Sequence, residues 1–332
     1  MHFMYSSLLA ALLLPVLAAP VAAQSSWKPE KNIEIVVGSS PGSGTDRTAR
    51  DIDRLWRETG LVSVSSAVVN RPGGGGTIAF AYLGQKTGDA HQLLVSSYNI
   101  VTNHITGKST VTYSDFTPIT LLFSEYIAYW VRADSRFKTP QELFAQIKKD
   151  PSSVATGVSS SIGGANHIAY SLLLKTLGIS PKQGKVVVFN SGGDTMTALL
   201  GGHIDLMVAS ASVVAGSIAS GQIRGLAYAA PKRLSGPFAG IPTLTELGHK
   251  VAADNWRLVI APKGLTAAQA GYWDGVFKRF VSTEEWDKLL NAKHLSNTYL
   301  NSADTRRHLD SEYGEIREIL AELGLARAPA AR

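Results

Sequence analysis

Short β-branched runs alternate with amphipathic stretches along most of this chain, and the joints between them are rich in glycine, serine and asparagine. Ile33-Glu34-Ile35-Val36-Val37 predicts a strand and Gly38-Ser39-Ser40-Pro41-Gly42-Ser43-Gly44 a turn. Thr45-Asp46 then opens a helix in which Ala49, Ile52, Leu55 and Trp56 recur at near-helical spacing. The order of strand, loop and helix repeats. Strands are expected at 64–69, 91–95, 154–158 and 185–189, with short ones at 205–208 and 225–229. Helices are expected through Leu83 and over 139–149, 168–177, 195–200 and 213–220. Two bulkier runs, 126–131 and 256–260, predict strands that cross between two lobes. Beyond them Trp273, Val276, Phe277 and Phe280 share a helical face, and Ser282-x-x-Glu285 reads as a capping box. Leu309, Tyr313, Ile316, Ile319, Leu320 and Leu323 form a last stripe closed by Gly324.

A chain of 332 residues exceeds one ordinary core, so two lobes are expected. The formal charge of +6 comes from scattered Lys and Arg with no basic block, which argues against nucleic acid and suits an anionic small ligand. There is no cysteine, so disulfides and thiolate metal sites are excluded, and the eight histidines lack any paired metal spacing. No cofactor is implied. Residues 1–24 read as an export signal: two apolar stretches broken by Pro15, then Val21-Ala22-Ala23 before Gln24, with cleavage near Ala23. A membrane anchor is the alternative, disfavoured by Pro15, Pro20 and the small-residue end. The expected location is periplasmic.

Three chemistries could use the first turn. A dinucleotide fingerprint fails because Arg47 stands where the third glycine of G-x-G-x-x-G belongs, and a phosphate loop fails for want of Gly-Lys-Ser/Thr. Gly38-Ser39-Ser40-Pro41-Gly42 matches the G-x-S-x-G elbow of serine hydrolases. The elbow takes an oxyanion donor from the residue after the nucleophile, and Pro41 has no N–H. What survives is an anion-binding turn of small residues at the positive end of a helix, against the plainer reading of a capped tight turn. His167, near another expected helix start, reads either as a structural hydrogen-bonding residue or as a donor to an anion; Asp46 and Asp194 read as helix caps or ligand contacts.

Several expected strand ends thus feed Gly, Ser, Thr and Asn loops into helix N-termini, a chemistry that satisfies carboxylates, and alternating β and α segments place such ends along one sheet edge. Hinged closure of two lobes around a ligand follows. The order of several motifs resembles the substrate-binding proteins of tripartite tricarboxylate transporters, also called the Bug family. They are Pro41-Gly42-Ser43-Gly44-Thr45-Asp46-Arg47, Asn70-Arg71-Pro72-Gly73-Gly74-Gly75-Gly76, Gly163-Gly164-Ala165-Asn166-His167-Ile168, Ser191-Gly192-Gly193-Asp194, Gly201-Gly202-His203-Ile204-Asp205 and Asn255-Trp256-Arg257. The paired glycines before Asn166-His167 and the Trp256-Arg257 pair look like the tricarboxylate-binding branch.

The resemblance covers nearly all of the mature chain and implies an α/β, two-lobed periplasmic-binding-protein type II (Venus flytrap) fold. Lobe 1 would hold 25–125 plus 251–325, lobe 2 would hold 126–250, and 326–332 would be a flexible tail. It further implies that Ser40, Pro41, Gly42, Ser43, Gly44, Thr45 and Asp46 hold one end of a carboxylate, with Asp46 ordering the loop and Tyr98 and Asn99 adding contacts. Ser161, Gly163, Gly164, Ala165, Asn166 and His167 would grip a second carboxylate, assisted by Asn190, Ser191, Gly192 and Ser210. Ser43 stands where the family usually has glycine, Asn190-Ser191 where the branch tends to have Ser-Gly, and 208–212 lacks the expected Ser-Gly-Tyr-like sequence.

The implied function is capture of a small polycarboxylate, citrate or another tricarboxylate first and a dicarboxylate next. Delivery would be to a transporter with a small and a large integral membrane subunit. No catalytic residue is assigned and the protein is expected to be a monomer. The rivals are a sensor presenting its ligand to a receptor kinase and a secreted serine hydrolase using Ser40.

Overall fold

The computed structural model of the protein describes residues 27–159 and 161–327. The expected leader and its cleavage point lie outside those residues, as do 328–332 of the expected tail.

Strands β1 (Ile33–Val37), β2 (Ser66–Asn70), β3 (Gln92–Ser96), β4 (Phe116–Ser124), β10 (Arg257–Pro262) and β11 (Ser296–Leu300) form one sheet in the order β11-β4-β10-β3-β1-β2. Strands β5 (Ile127–Arg132), β6 (Thr156–Ser159), β7 (Val186–Phe189), β8 (Leu206–Ser210) and β9 (Ile223–Tyr228) form a second, in the order β7-β6-β8-β5-β9. In each sheet the early strands run parallel, β1 with β2 and β3, and β6 with β7 and β8. The strand entering from the other lobe runs antiparallel, β10 against β3 and β4, and β5 against β8 and β9. The helices are α1 (Gly44–Thr59), α2 (Thr77–Gly84), α3 (Asn99–Ile105), α4 (Pro140–Lys149), α5 (Ala165–Thr176), α6 (Gly192–Leu200), α7 (Ala211–Ala219), α8 (Ala267–Phe280), α9 (Glu284–Ala292) and α10 (Ser302–Glu322).

Period-two side-chain alternation divides each core. In β1, Ile33, Ile35 and Val37 face Trp56 of α1 and Trp273 of α8, while Val36 faces Phe80 of α2 and Trp256. In β5, Tyr129 and Val131 face Leu173 of α5, while Ala128 and Trp130 face Leu199 of α6. Both sheets are covered on two faces, as parallel strands require.

The runs at 126–131 and 256–260 lie inside the sheets, one in each, and their bulk fills the lobe cores. The passages between the lobes are the short segments just before them. Ile127 N–H donates to Ala253 O at 3.0 Å and Asn255 N–H to Glu125 O at 3.0 Å, so outgoing and returning chains are tied side by side. A third contact joins the lobes: α5 lays Ile168 and Leu172 into the apolar cluster of α10, and Lys175 reaches Glu318 and Glu322 at 3.0 and 2.7 Å.

The structure differs from the sequence expectations in several other places. Helices α5, α6 and α7 begin two or three residues earlier than expected, because their first turns are made mostly of Gly, Ala, Ser, Asn and Asp, which read locally as a continuation of the loop. Helix α3 and strand β11 were not expected. The β-branched Ile100, Val101 and Ile105 are poor helix formers held by burial, and β11 is a half-buried edge strand. The capping residue of α9 is Thr283, which accepts from Trp286 N–H, and not Ser282. Ala326 and Arg327 are not frayed: their N–H groups donate to Leu320 O and Ile105 O.

Candidate functional site

The C-terminal ends of β1, β3, β6 and β8 face one cavity of about 610 Å³ between the lobes. Four helices start at its wall: α1 at Gly44, α3 at Asn99, α5 at Ala165 and α7 just after Ser210. The first N–H groups of a helix have no intrahelical acceptor and carry its positive pole. Helix α1 is capped by the Ser43 hydroxyl, whereas α5 and α7 start at Gly164 and Ser210 with no side-chain cap. Those two ends keep donors for an anion.

The charged lining groups are Arg47, Lys108 and Arg257 against one carboxylate, Glu125. Arg257 is buried, pairs with Glu125 at 3.2 Å and donates to Asn255 O and Trp256 O, while its Nε has no partner among the described residues. Glu125 also accepts from Ser212 of α7 at 3.2 Å. A buried guanidinium at a cleft wall is a strong anion-recognition element.

The β1–α1 loop is built by its neighbours. Asp46 accepts from Gly42 N–H, from Asn70 Nδ2 at 2.8 Å each, and from Arg50 Nε at 3.0 Å. Burial works against its charge, yet the Arg50, Gly42 and Asn70 bonds hold its carboxyl below the usual range. Asn70 also donates to Ser39 O at 3.0 Å, fixing the loop to the end of β2. The glycine run follows for a backbone reason: Gly73, Gly74, Gly75 and Gly76 all have φ between +58° and +129°, which L side chains rarely adopt. That path aims Gly75 O at the amides of Asn99 and Asn103, ordering the start of α3.

Of the residues singled out from sequence, Gly44, Tyr98, Asn99, Ser161, Gly163, Gly164, Ala165, Asn166 and Ser210 line the cavity. Ser43 and Thr45 line an adjoining recess of about 250 Å³ with Ser39. The structure does not bring the others to the wall. Ser40, Pro41 and Gly42 point to solvent, and Asp46 acts from beneath. His167 is buried and accepts from Gly163 N–H at 2.9 Å; burial pushes its imidazole down to about 4, so it is a neutral acceptor that occupies a loop donor. Ser191 caps α6, Asn190 is exposed, and Gly192 lies behind Val213, which fills the space toward the cleft. Among the described residues only His294 is a non-glycine with positive φ, so Ser40 lacks the strained backbone of a nucleophile elbow as well as the following N–H.

Sequence reasoning missed Ser39, Arg47, Asn103, Lys108, Glu125 and Arg257. Arg257 had a signal, the Trp256-Arg257 pair. Ser39 sits one residue from the motif serine and turns inward, its hydroxyl contacting those of Ser43 and Thr45. Among the described residues no His, Asp and Glu cluster suits a metal ion, and no helix is long and apolar enough to cross a membrane.

Comparison with known proteins agrees with this architecture. The chain is 27% identical to Protein BugT of Bordetella pertussis over 253 residues, covering 75% of each chain. Its fold is similar to that of a TctC solute binding protein from Polaromonas, with a TM-score of 0.77, 22% identity and coverage of 89% and 99% of the two chains. It is also similar to an R. palustris protein solved with adipate, with a TM-score of 0.75, 22% identity and coverage of 90% and 99%. The family model described as tripartite tricarboxylate transporter family receptor matches residues 61–325. The chain therefore belongs to the tripartite tricarboxylate transporter receptor family, whose members are solute-binding proteins and not enzymes.

Proposed function

We propose that this protein is exported to the periplasm, captures a small polycarboxylate between its lobes and delivers it to the small and large integral subunits of a tripartite transporter. Citrate or another tricarboxylate is the first ligand class and a dicarboxylate the second; the adipate bound by a protein of similar fold supports the carboxylate chemistry. The observation that carries the reading is the convergence of four helix starts and three cationic side chains on one cavity.

One carboxylate lies against Ser39, Gly44, Tyr98 and Asn99, and the second against the N–H groups of Ala165 and Asn166 with Ser210 across from them, the Gly164 N–H being held by Ser161 O. His167 shapes the second loop from behind through Gly163, while Asn190, Ser191 and Gly192 stand at the start of α6 beside Val213. Closure turns about 125–126 and 253–255, bringing lobe 2 onto a ligand first held by lobe 1. Affinity comes from preorganised donors, since the loop and glycine-run hydrogen bonds are already made.

A thermal-shift screen of the mature protein against tri-, di- and monocarboxylates, followed by calorimetry, tests this. Ligand at 100 times its Kd adds about 2.7 kcal/mol to stability. A selective shift with citrate-like acids supports the reading, and a flat response to every carboxylate removes it.

A further inference from the structure

The cleft continues beyond the cavity just described. A second space of about 490 Å³ shares Gly44, Arg47, Glu125, Ser212 and Val213 with it, and then runs between α7 and the end of α9. Resting on the carboxylate reading above, we propose that this annex receives an uncharged aryl or alkyl arm of the bound carboxylate. The protein then selects a substituted acid over a bare one.

The annex floor is apolar: Phe123, Trp286, Leu289 and Leu295, the first three being core residues. Its charges are already paired. Lys293 contacts Asp51, and Glu125 holds Arg257, so a further carboxylate would find no free cation beyond Arg47 at the shared wall.

The main cavity points the same way. Val213 and Ile162 are 45% and 39% exposed, two of the four most exposed large apolar residues described, and both line the cleft. Apolar surface kept at a cleft wall favours a ligand that covers it. At the far rim His294, held at φ 54°, packs edge-on against Phe238 of the other lobe with ring centroids 4.9 Å apart. Strained backbone of this kind persists where surrounding contacts hold it. That contact ties the annex, like the cavity, to both lobes.

The test compares succinate with benzylsuccinate by calorimetry on the full mature protein, and on Ala215→Trp and Ala292→Trp, which fill the annex from half-exposed and exposed helix positions. Benzylsuccinate is expected to bind the unmodified protein about tenfold or more tightly than succinate, with a more negative heat-capacity change. Both variants are expected to lose that gain and keep succinate binding, their folds checked by circular dichroism. Equal affinities and heat-capacity changes for the pair, or a benzyl gain that survives both fillings, overturn the annex and leave carboxylate capture standing. Citrate binding without either member of the pair also overturns it. Failure of every carboxylate would instead overturn the proposed function.

Discussion

Arg257 Nη2 and the Glu125 carboxylate lie 3.2 Å apart where the chain passes between its lobes, with the side chains 6% and 16% exposed. The pair stands at the junction of hinge and cleft. Glu125 belongs to the outgoing passage, Arg257 opens β10 on the return, and Ser212 of the second lobe donates to the other carboxylate oxygen. The geometry therefore couples the ligand-facing guanidinium to the relative position of the two lobes.

Removing one partner of a buried pair strands the other. Arg257→Met is expected to cost about 3 kcal/mol in urea unfolding and to abolish carboxylate binding by calorimetry. Glu125→Gln keeps a hydrogen-bond acceptor, so it costs less and raises carboxylate affinity by freeing Nη2 for the ligand. A Glu125→Gln protein that binds more weakly would show that the pair positions the guanidinium rather than competing with ligand.

Gly44 is the residue that lets Arg257 reach the wall. A Cβ built there would lie 2.6 Å from Arg257 Nη2. Gly44→Ala is expected to lower thermal stability, though less than Arg257→Met does, because pushing Nη2 aside loosens its bond to Glu125, while affinity falls about tenfold or more as the guanidinium is displaced. Unchanged affinity would remove Arg257 from the site.

Two groups oppose one another in their pH dependence. Asp254, at the return passage, has its carboxyl pushed up to about 6 by burial, against a Ser124 hydrogen bond, and His167 is pushed down to about 4 by burial. Between pH 4 and 6 the unfolded chain has lost the Asp254 proton that the folded protein retains, so this group makes stability fall as pH rises. Between pH 4 and 6.5 the unfolded chain holds a His167 proton that the folded protein lacks, so this group makes stability rise. Each contributes on the order of 3 kcal/mol, and burial gives Glu312 and His308 the same opposing directions. In denaturant titrations across pH 4–7, the slope of stability against pH should be more positive for Asp254→Asn than for the unmodified protein, and more negative for His167→Gln. Matching slopes in all three proteins would refute the opposition.

Ser39 and Ser40 should separate cleanly. Ser39→Ala removes a hydroxyl bonded to Thr45 at 2.6 Å beside the recess and is expected to weaken carboxylate binding several-fold. Ser40 is exposed, so Ser40→Ala should change stability by no more than about 0.5 kcal/mol and leave binding unaltered. Hydrolysis of generic esters lost in Ser40→Ala would reverse this.

Local pattern determined much of this protein. Alternation in Ile33 to Val37, the α1 stripe of Ala49, Ile52, Leu55 and Trp56, and the glycine, serine and asparagine joints settle short-range backbone choice through side-chain periodicity and turn chemistry, which adjacent residues control. The motif order also carried the family. Tertiary structure decided which joints meet. His167 and Arg257 are both part of family landmarks in sequence, yet the fold buries the imidazole as a neutral acceptor and sets the guanidinium at the cleft wall. Nothing adjacent to Arg257 signals that Glu125, 132 positions away, will pair with it. Helix α3 and strand β11 formed against weak local preference because burial of Ile100 and Val101 and pairing with β4 outweigh it. Charge pairing, desolvation and the shape of a cleft are sums over distant segments, and the chain acquires them only when it folds.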